Sequence, residues 1–226
     1  MTWRPSRAFL LWTLIALFLG VAALLVWSMV LQSRTTFSAG SRPPLRESDL
    51  PQPIKPVMRA SDPWRGSTDP KAITIIAFGD FDCVYCKLAD MALSQALSSS
   101  RDVRIVWRDL PIPNGRTEGL MAAIAGRCAA EQNRFWQMHD ALFQSTDLTM
   151  ESFKRIARET GLRESTFLEC FSNAKVLQAV QDDVALAKSL SITSTPTFFI
   201  GNDVLLGAVS ADEILASIKR ARSALR

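Results

Sequence analysis

Cys83-Val84-Tyr85-Cys86 follows the apolar run Ile73-Thr74-Ile75-Ile76-Ala77-Phe78 and precedes a helix-compatible stretch, Lys87 to Leu97. A strand, a Cys-x-x-Cys and a helix in that order form the layout of a dithiol–disulfide exchange centre. The chemistry requires that layout. The thiolate is the nucleophile, and a helix N-terminus lowers a thiol's pKa through its dipole and free N–H groups. The second cysteine, one helical turn on, can attack a mixed disulfide and release the partner. The competing reading is half a zinc site, which needs two more ligands. His139, Cys128 and Cys170 remain, and none forms a second close pair. The finger and ribbon spacings are absent, so no metal is expected and the only redox group is the Cys83–Cys86 pair itself.

The elements that must hold this pair occupy the second part of a 226-residue chain of formal net charge +4. The Lys and Arg residues are scattered among acids, which describes a solvated surface and gives no nucleic-acid patch. Ala8 to Leu31 is an uncharged, strongly apolar run, long enough to cross a hydrocarbon core of roughly 30 Å as a helix. It exceeds the apolar stretch of a signal peptide, and Trp12 and Trp27 stand towards its ends, where interfacial aromatics are favoured. Cleavage near Phe37-Ser38-Ala39-Gly40 is the alternative. Arg4 and Arg7 before the run nearly balance Arg34, Arg42 and Arg46 after it. Long C-terminal domains translocate largely regardless of charge. The expected arrangement is therefore a short cytoplasmic segment at 1–7, a transmembrane anchor at 8–31 and a catalytic domain outside the cytoplasm. An even number of cysteines suits such an oxidising compartment.

Residues 32–70 read as a linker, with Pro43, Pro44, Pro51, Pro53, Pro56 and Pro63 and no sustained apolar period. The alternative is that Pro56 to Trp64 packs on the domain edge through Trp64. The folded domain is expected over 71–226, about 155 residues, enough for one core. Ile73 to Phe78 reads as a buried strand and Val103 to Trp107 as a second. Between about 117 and 190 the apolar spacing becomes helical: Leu120, Met121, Ile124, Ala125 and Cys128; then Phe135, Trp136, His139, Leu142 and Phe143; then Phe153, Ile156 and Ala157, stopped by Gly161; then Val176, Val180, Val184, Ala187 and Leu190. Thr197 to Ile200 and Val204 to Val209 read as a hairpin about Asn202-Asp203. Ala211 to Ala224 closes as a helix with Ser210 at its N-cap and Glu213 at the third helical position. The whole is an α/β sheet-and-helix fold interrupted by a helical insertion.

Four segments in order, Phe78-Gly79-Asp80-Phe81-Asp82-Cys83-Val84-Tyr85-Cys86, Arg108-Asp109-Leu110-Pro111, Phe135 to Phe143 and Ser194-Thr195-Pro196-Thr197-Phe198-Phe199-Ile200, resemble the DsbA-like thiol-disulfide oxidoreductases of bacteria. The resemblance covers nearly all of 71–226. It implies a thioredoxin fold with an inserted α-helical domain, and dithiol–disulfide exchange on secreted proteins. It makes Cys83 the exposed nucleophile, Cys86 the buried resolving cysteine, and Thr195-Pro196 the residue and cis-proline facing the disulfide. A cis proline leaves the preceding backbone able to hydrogen-bond an extended substrate strand. The chain departs from the family in the Val84-Tyr85 pair, where Pro or His is common, and in Ala77, where the wider fold often carries a buried acid. Asp80 and Asp82 stand nearer the sulfurs and read as solvated turn residues, with a substitute for that acid as the alternative.

Cys128 and Cys170 leave two readings open. They form a structural disulfide closing a loop of about forty residues, stabilising by roughly 3–4 kcal/mol in the chain-entropy model, or they are two buried free thiols. An extracytoplasmic location favours the bridge, and some members of the family have such a second pair. His139, on an aromatic helix face, reads as a structural residue.

The leading functional expectation is an anchored oxidant at the bacterial inner membrane, facing the periplasm. It would introduce disulfides into cysteine-containing unfolded or secreted proteins and be reoxidised, by family analogy, by a DsbB-like membrane partner. The alternative is an extracytoplasmic reductase or isomerase, for example in cytochrome c maturation. A third reading is a non-catalytic holdase or adaptor, against which the intact Cys-x-x-Cys argues.

Overall fold

The computed structural model describes residues 55–113 and 117–225, with seven helical residues between Gly20 and Met29. The chain divides into two compact units, Met1–Pro53 and Ile54–Arg226. Within the first, Gly20, Val21, Leu24, Leu25 and Trp27 to Met29 are helical. The rest of the expected anchor at 8–31, and the expected linker as far as residue 54, lie outside the described residues. Among the described residues no helix is long and apolar enough to cross a membrane.

In the second unit, strands β1 (Trp64–Gly66), β2 (Ile73–Gly79), β3 (Val103–Asp109), β4 (Thr197–Ile200) and β5 (Asp203–Leu206) form one sheet in the order β1-β3-β2-β4-β5. β2 and β3 run parallel, and the other neighbours pair antiparallel. Helix α1 (Val84–Ser99) makes the crossover between the parallel pair, as parallel strands require. Helices α2 (Glu118–Ala130), α3 (Phe135–Gln144), α4 (Met150–Glu159), α5 (Glu164–Cys170) and α6 (Ala174–Ser189) come between β3 and β4, and α7 (Ala211–Ala224) ends the unit. This is the expected sheet with its helical interruption.

β2 is apolar except at Thr74 because both its faces are covered. Ile73, Ile75 and Ala77 join the larger core with Leu93 and Ala96 of α1 and Ile214 and Ile218 of α7. Ile76 and Phe78 point the other way, towards Val106, Ala187, Met58 and Trp64. The helical insertion packs into the first core through Phe153, Ile156, Phe167 and Val180. Within it, Cys128 and Cys170 form a disulfide, Cα–Cα 5.7 Å, that ties α2 to the end of α5. Ser210 and Glu213 form a reciprocal capping box at the start of α7.

The folded unit begins earlier than the proline-rich composition suggests. β1 is an edge strand with Trp64 opposite Val106, and the Pro63 carbonyl accepts the Trp107 N–H at 3.0 Å. Pro56 and Asp62 are buried. A three-residue edge strand has no period to read, and what fixes it is long-range. Asp62 pairs with Arg108 at 2.6 Å, and Arg108 pairs with Asp183 of α6 at 2.9 Å. Arg127 of α2 bonds both Asp109 and Asp183, and Arg59 bonds Asp62 and Asp183. Three guanidinium groups thus face three carboxylates at the junction of the arm, β3, α2 and α6, with Arg108 and Asp183 completely buried.

Removing one partner from such a cluster leaves charge buried without compensation. Arg108→Met, close in length but uncharged, is expected to cost about 3–5 kcal/mol. Urea unfolding followed by circular dichroism would measure it, and a loss below about 1 kcal/mol would mean the cluster contributes little to the fold.

Candidate active site

β2 ends at Gly79, and a short turn, Asp80–Asp82, delivers the chain to Cys83 at the N-cap of α1. Gly79 is required there, since a Cβ would overlap the Trp107 ring. Cys83 makes no side-chain capping bond, and the first turn of α1 carries no acid. The free N–H groups and positive end of the helix are therefore left to the sulfur. One turn later Cys86 faces the core, 3% exposed, while Cys83 is half-buried and Val84 and Tyr85 are exposed.

Topology brings the fourth motif beside the sulfurs. β4 pairs antiparallel with β2, placing Thr197 opposite Phe78. The residues just before β4 therefore lie next to those just after β2. Thr195-Pro196 is cis, and the Cys83 Sγ lies 3.6 Å from the Thr195 carbonyl, to which it donates when protonated. Cys83, Cys86, Thr195 and Pro196 thus form one cluster, while Cys128 and Cys170 serve the helical insertion.

The two thiols are chemically unequal. Cys83 is lowered to about 5, first by the hydrogen bond from Cys86 and then, against its partial burial, by the Thr195 side chain and the main-chain N–H groups of Cys86 and Tyr85. Cys86 moves far upward, through its bond to Cys83 and through burial. One proton is shared unequally, leaving a thiolate at the surface and a thiol beneath it.

Asp80 does not belong to solvent. Its side chain is buried, its Oδ1 and Oδ2 accept the N–H groups of Asp82 and Ile112 at 2.9 Å each, and burial raises its pKa. Its position three residues before Cys83 was visible in the sequence, but Gly-Asp-Phe-Asp has the composition of an exposed turn. Only the packing of the segment around Ile112 and of α2 against it makes it interior.

Aromatic contacts hold the turn from the other side. The Phe81 ring lies 5.0 Å from Trp107, 5.1 Å from Phe143 and 5.4 Å from His139. His139 is fully buried at the centre of this group and lies 2.8 Å through Nδ1 from Asp140, the structural position expected for it. Among the described residues, one group of possible metal ligands is close together: Asp90, His139 and Asp140, within 4.8 Å. The Arg65 guanidinium pairs with both of these carboxylates. A cavity of about 220 Å³ opens beside Cys83, lined by Phe81, Lys87, Phe143 and Leu148. A larger one, about 760 Å³, lies at the far end of β2 between Lys55 and Arg220 and contains no thiol.

The reduced protein should therefore react with iodoacetamide at a single fast thiol whose rate titrates with a midpoint near pH 5. A midpoint in the ordinary thiol range, about 8.5, would contradict the geometry. Linkage adds a sign. Cys83 titrates lower folded than unfolded, so its contribution to the stability of the reduced form is full above the unfolded thiol pKa. That contribution declines below it and is lost as the pH falls through about 5. The thermal midpoint of the reduced form should accordingly fall relative to that of the disulfide form between pH 8 and pH 4.

Known proteins share this fold. A thioredoxin-like oxidoreductase from Silicibacter pomeroyi superposes with a TM-score of 0.67 at 27% identity, covering 73% of this chain and 94% of that one. The thiol-disulfide exchange protein alpha-DsbA2 of Wolbachia pipientis shares the fold, with a TM-score of 0.65 at 20% identity over 71% of this chain and 87% of that one. Among curated sequences, the Na(+)/H(+) antiporter NhaA 3 of Salinispora tropica is 32% identical over 179 residues, 79% of this chain but 27% of the antiporter. The matched region thus spans about a quarter of the curated relatives' length. The thioredoxin family profile matches residues 59–220, which include the sheet, the Cys83–Cys86 turn and the helical insertion, and the chain belongs to the thioredoxin family.

Proposed function

We propose that the protein is a thiol-disulfide oxidoreductase that donates its Cys83–Cys86 disulfide to the cysteines of unfolded or secreted proteins. The observation that carries this reading is the inequality of the two thiols. A thiolate held at a pKa of about 5 stabilises the reduced form, and a stable reduced form makes the disulfide a good oxidant. A substrate thiolate attacks the accessible Cys83 sulfur and expels Cys86. The substrate's second thiol then attacks its own sulfur in the mixed disulfide and leaves Cys83 as thiolate. Thr195, ahead of the cis proline and beside Cys83, is the proposed docking point for the substrate backbone. No cofactor beyond the dithiol is required.

The proposed setting is the extracytoplasmic face of a bacterial inner membrane, with residues 8–31 as anchor and a DsbB-like membrane protein as reoxidant. The Cys128–Cys170 bridge supports an oxidising compartment. The apolar sequence of residues 8–31 supports the anchor. Homology to a region of proteins named as Na(+)/H(+) antiporters supports work at a membrane.

The deciding measurement is the reduction potential of the Cys83–Cys86 pair in the full chain, equilibrated with glutathione. A value near about −120 mV is expected, and one near about −270 mV would make the domain a reductant instead. Cys83→Ser should abolish disulfide transfer to a reduced, unfolded substrate. Cys86→Ser should accumulate mixed disulfides through Cys83, seen as adducts on a non-reducing gel. Transfer that survives Cys83→Ser would reject this mechanism.

A further inference from the structure

We propose that Asp80 is a positioning residue for Cys86, holding a main-chain donor on the sulfur that must leave when the disulfide is attacked. The inference rests on the exchange mechanism above. Three features of Asp80 meet at the site. Its N–H donates to the Cys86 Sγ at 3.4 Å. Its carbonyl accepts the Cys83 N–H at 3.2 Å. Its carboxylate is anchored at both ends, by the Asp82 N–H within the turn and by the Ile112 N–H beyond β3. The two peptide units flanking this residue therefore contact both redox cysteines, and the side chain fixes the orientation of those units.

The surroundings fit that task. Gly119 in the first turn of α2 leaves room for the carboxylate, because a Cβ there would overlap Asp80 Oδ1. An exposed aspartate could satisfy itself with water in many orientations. A buried one with both oxygens bonded to main-chain donors has one orientation.

In the step concerned, a thiolate attacks Cys83 Sγ and the Cys83–Cys86 bond breaks. The bonding pair leaves with Cys86 Sγ, and a new disulfide joins Cys83 to the attacker. Two electrons pass from the attacking dithiol to the pair once its second thiol completes the exchange. The charge appearing on buried Cys86 is met by the Asp80 N–H until the sulfur takes a proton from solvent. A hydrogen bond to a charged group counts for most where water is absent.

The test uses the oxidised full chain and dithiothreitol, whose attack on the accessible Cys83 sulfur expels Cys86. Asp80→Ala should slow this reduction about tenfold, and Asp80→Asn should slow it less, since its carbonyl oxygen keeps one of the two N–H bonds. At pH 8, far above the Cys83 titration, alkylation of Cys83 by iodoacetamide in the reduced variants should change much less than the reduction does, because Asp80 meets the Cys86 sulfur directly and Cys83 only through its main-chain N–H; general loosening of the site would slow both reactions alike. Reduction of both variants at the wild-type rate would overturn the proposal, as would a parallel loss in both reactions. If Asp80→Ala does not fold, Asp80→Asn decides alone. Failure of the wild-type protein to oxidise an unfolded substrate would count against the proposed function and leave this comparison readable.

Discussion

The cluster of Arg59, Arg108 and Arg127 with Asp62, Asp109 and Asp183, buried except at Arg59, is the constraint from which the rest of the architecture follows. It joins the N-terminal arm, β3 and two helices of the insertion, elements far apart in sequence. Buried ion pairs add little net stability compared with apolar packing of the same volume, but each leaves a heavy penalty if its partners are misplaced. Here that penalty falls on alternative placements of the helical insertion. The insertion can slide on an apolar surface, but not past Arg59 and Arg108, which pair with its Asp183, or past Asp109, which pairs with its Arg127.

The order so imposed reaches the sulfurs through short links. Asp109 accepts the Trp107 indole N–H at 2.7 Å, and the Trp107 ring packs on Phe81 and His139. The neighbouring Leu110 N–H bonds the Gly79 carbonyl at 2.8 Å. The turn before Cys83 is thus held by the end of β3 on one side and by the aromatic face of α3 on the other. Interior packing transmits placement over such distances because cores are close-packed and rotamers few. A redox site gains from this. Small displacements of a main-chain N–H change how well it meets a sulfur, and so change how readily that sulfur carries charge.

The difference between the thiols then needs no special residue between them. Val84 and Tyr85 point outward, and Val84 offers no donor. The bond from Cys86, the Thr195 side chain and the main-chain N–H groups at the helix start suffice to lower Cys83, while its bond to Cys83 and its burial keep the Cys86 proton in place. The bridge between Cys128 and Cys170 answers a different need, closing the helical insertion on itself.

The strands and helices with a clear period were legible in the sequence, because period reports which side of an element is covered. The α2 and α3 stripes are of this kind, while β2 was legible as an apolar run covered on both faces and the start of α7 by its capping residues. So was the Cys-x-x-Cys at a helix start, because its chemistry depends on spacing along one segment. The sequence left undecided whether Cys128 meets Cys170, and it gave the packing of Pro56 to Trp64 on the domain edge only as an alternative, since Pro56 to Gly66 carries no period. It also read Asp80 as a surface residue. Each of these depends on partners far away along the chain: Arg108 for Asp62, Val106 for Trp64, Ile112 and Gly119 for Asp80. The sequence determined the reacting atoms, because a local motif carries them. Only the tertiary structure decided which of them are acidic, which are buried and what holds them, because burial and long-range hydrogen bonds exist only once the chain has closed on itself.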